Sequence, residues 1–143
     1  MDSILQFDHS VIFYVHEHLV YSFLTPIMAI LSKITSNGAL WILIALLLMI
    51  QKKYRVLGVA IIIALGFVFI IGDQGLKPNV ARLRPFVDFP NVTVPLESAL
   101  PKANSYSFPS GHSFGSFASA MTIYLGLSQI APQKRYLGII ALL

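Results

Sequence analysis

Between Val56 and Ile71 the chain runs through sixteen consecutive residues without a charged side chain. A run of that purity fits either a fully buried core helix or a bilayer, whose hydrocarbon layer of roughly 30 Å takes about 20 helical residues to cross. The rest of the chain favours the bilayer: 56% of its 143 residues are hydrophobic, 11% are charged and the mean hydropathy is +0.75. That balance argues against a water-soluble globular core. Three further apolar segments accompany the first. Residues 19–34 form one, interrupted by Pro26 and closed by Ser36, Asn37 and Gly38, and residues 39–50 form a short one with Trp41 where an interfacial aromatic would sit. Residues 113–130 form the last, rich in Gly, Ala and Ser, a composition suited to close helix packing in a bundle. The expected fold is therefore all-α, a polytopic transmembrane helical bundle with four complete crossings and a fifth beginning at Tyr136, in one domain over residues 1–143.

Other classes are excluded or disfavoured. The chain has no cysteine, so disulfide staples and cysteine-based metal or redox chemistry are absent. Its net charge of +4 bears on topology and anionic headgroups before it bears on nucleic acid. No basic segment precedes the first apolar residues, so no cleaved signal peptide is expected. Near the N-terminus, Ile4, Phe7, Val11, Tyr14 and Val15 recur at helical spacing, which predicts an amphipathic interfacial helix within residues 1–18 or else the start of a longer tilted span.

Charge sets the expected orientation. Lys52, Lys53 and Arg55 in one loop and Lys134 and Arg135 in another would share a side if the segments alternate, and the positive-inside rule makes that side cytoplasmic. With four crossings the N-terminus is cytoplasmic too, and residues 72–112 form an outward loop holding six prolines and seven charged residues. Two polar motifs then emerge on one face.

The first motif is Lys77-Pro78-Asn79-Val80-Ala81-Arg82-Leu83-Arg84-Pro85. Lys77 and Arg84 are seven residues apart, so a helical turn beginning at Pro78 would point both to one side. A guanidinium grips two oxygens of a phosphate and an ammonium adds a compact charge, although basic clusters at span ends are also ordinary headgroup anchors. The second motif is Pro109-Ser110-Gly111-His112, directly before the fourth span. A helix N-terminus presents unpaired N–H groups to an anion, glycine lets the backbone approach it, and His112 is placed to give a proton to a departing alkoxide. The plainer reading is a capping turn begun by Ser110 or Ser113.

Together these motifs resemble the first two signatures, K-x₆-R-P and P-S-G-H, of the type 2 phosphatidic acid phosphatases, metal-independent membrane lipid phosphatases whose site is shared with vanadium haloperoxidases. The order of apolar segments resembles that family along the whole chain. The resemblance implies that Lys77 and Arg84 bind phosphate, that Ser110 and Gly111 complete the cradle, and that His112 is the general acid. It implies a hydrolase working through a phosphohistidine, without cofactor or metal, on a lipid phosphomonoester or pyrophosphate such as undecaprenyl pyrophosphate, phosphatidylglycerol phosphate or phosphatidic acid. The implied setting is a bacterial cytoplasmic membrane, with six spans when intact. The partners are a lipid phosphate and the bilayer, with no nucleic acid.

The third signature, S-R-x₅-H-x₃-D, carries the nucleophilic histidine, and no histidine follows His112 in this chain. His9, His16 and His18 are the other histidines, and the expected topology sets them on the opposite face. The segment from Tyr136 has eight residues, about 12 Å of helix, so the chain is expected to be a truncated form whose missing part holds the third motif. The 143-residue form is expected to be inactive. The rival readings are a non-catalytic lipid-phosphate-binding protein and a helical membrane partner without a ligand. A haloperoxidase would need a soluble scaffold. Asn91-Val92-Thr93 matches a glycosylation acceptor in the outward loop.

Overall fold

The computed structural model describes residues 2–19, 21, 23–88 and 106–142. The glycosylation triplet and Pro90, Pro95 and Pro101 lie outside the described residues. Among the described residues all regular structure is helical, with no strand: α1 (Asp2–His18), α2 (Leu24–Ile34), α3 (Ala39–Ile50), α4 (Arg55–Phe67), a π-helix (Val68–Leu76), α5 (Lys77–Val80), α6 (Pro85–Asp88), α7 (Gly111–Ile130) and α8 (Tyr136–Leu142), with short 3-10 turns at Ser36–Gly38 and Pro132–Lys134. The expected all-α class holds. The chain divides into two compact units, Met1–Lys33 with Arg82–Ser107 and Ile34–Ala81 with Phe108–Leu143.

In the first unit the apolar spacing noted above does form a helix. Phe7, Val11, Tyr14 and Val15 of α1 all remain exposed. The helix closes with the Tyr14 and His18 rings stacked at 4.5 Å, and α2 restarts after Leu24 and Thr25 donate their N–H groups to the Tyr21 carbonyl. Arg82 pairs with Asp8 of α1, and the Ser107 N–H and hydroxyl bond the Arg82 and Leu83 carbonyls, each at 2.8 Å. These contacts tie α1 and the chain just before Pro109 to the Arg82-Leu83-Arg84 segment.

The second unit packs α4 between α3 and α7, with α8 on α7. Its core is Trp41 and Ala45 from α3, Leu57 and Ile61 from α4, and Ala120, Ile123 and Leu127 from α7. Small residues set the helix spacing, as their abundance in α7 led us to expect. A Cβ at Gly58 would lie 2.5 Å from the Ala45 carbonyl, one at Gly126 would lie 2.5 Å from Leu57 Cδ1, and one at Gly138 would lie 2.4 Å from Tyr124 Cα. Trp41 differs from the sequence reading. It turns inward and donates its indole N–H to Ser116 Oγ at 3.1 Å, because the indole nitrogen finds a partner on α7 that an interfacial position would leave to water.

Outside that core the surface is apolar, with Ile63, Phe67, Phe69, Ile70, Phe117 and Leu125 all more than half exposed. Such a surface on one chain needs a cover other than water.

One expectation is corrected and one is indicated in part. First, the helix of residues 56–71 does not stop at Ile71: it runs unbroken over Arg55–Val80, 26 residues, because Gly72 and Gly75 continue it through π turns. Residues 72–80 therefore belong to a helix, and the loop between the two motifs begins at Ala81. Second, of the four complete crossings expected, helix length and hydropathy among the described residues indicate one or two. Arg55–Val80 is the one helix among the described residues long and apolar enough to cross a membrane, or one of two if Leu24–Ile34 and Ala39–Ile50 make a single span. With 11 and 12 residues, α2 and α3 are each about 16–18 Å long, well short of a roughly 30 Å core. The 20-residue α7 has the length, but its glycines and serines dilute its hydropathy.

Candidate functional site

The site begins with the π-helix. Wide i→i+5 turns recur at functional positions because they shift which side chains share a face. Here the Lys77 N–H closes the last such turn on the Gly72 carbonyl. One turn apart, Lys77 Nζ meets Asp73 Oδ1 at 2.5 Å, both side chains partly exposed. Sequence reasoning missed Asp73, and an i, i+4 acidic partner just before the lysine was the available signal.

Gly72 fixes what faces this pair. A Cβ there would lie 3.0 Å from Phe114 Cδ1 and 3.8 Å from Pro109 Cγ. The absent side chain therefore lets the start of α7 press against the π-helix. The Phe108-Pro109 peptide is cis, and Ser110 is the N-cap of α7, its Oγ accepting the Ser113 N–H at 3.3 Å. The capping alternative is thus realised, and the Ser110 hydroxyl keeps its own proton for another acceptor.

Behind the cap, Gly111 opens toward Lys77. A Cβ on Gly111 would lie 4.0 Å from Lys77 Nζ and 3.9 Å from Asp73 Oδ1, ordinary contact distances. Neither crowding nor a left-handed backbone requires glycine here. Lys77, Ser110, Gly111 and His112 belong to one unit, with Ser110, Gly111 and His112 exposed and Lys77 partly so.

Arg84 is carried by the other unit. The helix expected to align it with Lys77 ends at Val80, where Ala81 takes a left-handed φ of 49° and residues 81–84 leave the helix. The seven-residue spacing therefore does not act as two helical turns, because the left-handed residue breaks the periodicity on which it depended. Arg84 is half-buried, and desolvation lowers its guanidinium pKa while leaving it a cation at physiological pH.

In charge and shape the Lys77–Gly111 region offers an ammonium, a helix N-terminus and a glycine surface to an anion. The PAP2 superfamily model matches residues 53–143, which include both motifs. A protein of Sulfolobus acidocaldarius named undecaprenyl-diphosphatase is 36% identical over 102 residues, covering 71% of this chain and 47% of that protein. The chain thus spans about half the length of this curated relative. No solved structure matches the chain.

Proposed function

The chain belongs to the PAP2 superfamily, and on that footing we propose that it is the phosphate-binding portion of a metal-independent membrane lipid phosphatase. The family and the relative support phosphatase chemistry. The observation that carries the site is the approach of Lys77 to Gly111, a glycine that the fold itself does not demand.

In this reading Lys77 and Arg84 hold the phosphate oxygens, and the Gly111 and His112 amides with the Ser110 hydroxyl complete the cradle at the start of α7. His112 stands at the same turn to protonate the leaving oxygen. The nucleophile that the family resemblance implies is a histidine, attacking phosphorus to give a phosphohistidine that water then opens. The substrate is a lipid monophosphate or pyrophosphate. Undecaprenyl pyrophosphate is favoured over phosphatidylglycerol phosphate and phosphatidic acid by the likeness to a protein named undecaprenyl-diphosphatase. The protein sits in a cytoplasmic membrane as a multi-pass bundle, with Lys52, Lys53, Lys134 and Arg135 inside and the motif loop outward.

These 143 residues hold no histidine after His112, so the proposal assigns them phosphate binding and not turnover. The test is to mix the purified protein with undecaprenyl pyrophosphate and follow both binding and phosphate release. Saturable binding that is lost in Arg84→Ala, with no release, is expected. Phosphate release by this form would overturn its inertness, and binding unaffected by Arg84→Ala and Lys77→Ala would overturn the site.

A further inference from the structure

The ion pair between Asp8 and Arg82 joins two segments that a four-crossing topology would set on opposite sides of the bilayer. Touching side chains cannot have about 30 Å of hydrocarbon between them. From this pair we infer that α1 is a surface helix on the same membrane face as the Arg82-Leu83-Arg84-Pro85 segment, bound to the lipid interface there, and that residues 24–50 cross the membrane once.

Parity supports the count. Arg82 follows two residues after the end of the Arg55–Val80 helix, whose other end abuts the Lys52-Lys53 loop. If that helix crosses, Arg82 and Lys53 lie on opposite faces. Asp8 lies with Arg82, so an odd number of crossings separates α1 from Lys53. Neither α2, with 11 residues, nor α3, with 12, is long enough to cross alone, and end to end they reach about 35 Å. One interrupted span satisfies both length and parity. It also keeps Lys52, Lys53, Lys134 and Arg135 on one side, as the charge rule requires.

The occupant of the exposed apolar stripe of α1 follows from the chain's own connectivity. Residues 19–23, the five between α1 and α2, span at most about 18 Å when fully extended, so α1 ends close to where the apolar α2 enters the bilayer. Phe7, Val11, Tyr14 and Val15, at positions i, i+4, i+7 and i+8, are exposed on one stripe. A helix so tethered places that stripe in the headgroup and upper acyl region. Asp8 thereby links the arginine-rich segment to a helix lying in the leaflet on its own face.

The absence of native cysteines makes the test direct. Ser10→Cys, Tyr106→Cys and Lys53→Cys are made singly, and sealed membranes are treated with an impermeant maleimide before and after permeabilisation. Ser10→Cys is expected to share the labelling side of Tyr106→Cys and to oppose Lys53→Cys. Labelling of Ser10→Cys together with Lys53→Cys, or its protection on both sides, overturns the inference. So does labelling of Tyr106→Cys and Lys53→Cys from one side. A polarity-sensitive fluorophore at Val11→Cys should emit to the blue of the same probe at Glu17→Cys in phospholipid vesicles, and equal emission would remove the lipid-bound stripe. Both readouts concern placement, so their failure is distinct from failure of the phosphatase reading.

Discussion

Lys77 and Asp73 face each other across one helical turn, Nζ to Oδ1 at 2.5 Å, and both lie about 4 Å from the point where a Gly111 side chain would begin. The carboxylate holds the ammonium beside the α7 N-terminus and is itself a negative charge next to the proposed anion site. The two residues should therefore respond in opposite directions. Lys77→Ala removes a charge-assisted hydrogen bond of about 1.5–3 kcal/mol, a loss of roughly 10- to 100-fold in affinity for inorganic phosphate or vanadate. Asp73→Asn keeps an acceptor for Lys77 while removing the like charge, so anion affinity should rise several-fold. Titration calorimetry on the detergent-solubilised protein checks both. Equal losses in the two variants would show that the pair is merely structural.

Gly111→Ala separates fold from ligand. The added methyl would meet Asp73 Oδ1 at 3.9 Å and Lys77 Nζ at 4.0 Å, so the thermal midpoint should stay within a degree or two of the parent. The same methyl occupies the approach to the backbone amides, and anion affinity should fall by about tenfold or more, on the order of one lost hydrogen bond to a charged group. Unchanged anion binding would remove Gly111 from the cradle.

Helix spacing in the second unit rests on particular glycines. At Gly58 an added Cβ would lie 2.5 Å from the Ala45 carbonyl, a backbone atom that cannot swing away, whereas Gly66 has nothing within 4 Å. Gly58→Ala should cost about 1–3 kcal/mol through forced separation of α3 and α4. Gly66→Ala should be neutral or stabilising by up to about 1 kcal/mol through helix propensity. Thermal unfolding followed by Trp41 fluorescence, with Trp41 buried between α3 and α7, distinguishes them.

Ser119 is fully buried in α7, and its Oγ has no hydrogen-bond partner among the described residues. An unsatisfied buried hydroxyl costs about 1–3 kcal/mol, so Ser119→Ala should preserve or raise the unfolding midpoint. A lowered midpoint would mean that a buried water or another group satisfies the hydroxyl.

Much of this was legible along the chain. Apolar runs disclosed helices because the hydrophobic pattern of a helix is local and additive along the chain. Ser110 could be read as a cap, and Pro109-Ser110-Gly111-His112 as a helix start, because capping depends only on residues three positions apart. Gly58, Gly126 and Gly138 belong to the same category in kind, although their partners do not.

What could not be read depended on distant contacts. The helical turns expected to run from Lys77 to Arg84 stop at one left-handed residue, Ala81, and nothing in an alanine announces a positive φ. The inward turn of Trp41 was decided by Ser116, 75 residues later, and the side of the membrane taken by α1 is argued from Asp8 meeting Arg82, 74 residues later. The sequence by itself determined the apolar character of this protein, its helical class and the residue types of its two polar motifs. Only the tertiary structure decided that Gly72 brings Gly111 to Lys77 and that Asp73 holds the lysine there, because steric room and ion pairing depend on the separation of helices, which no linear spacing encodes.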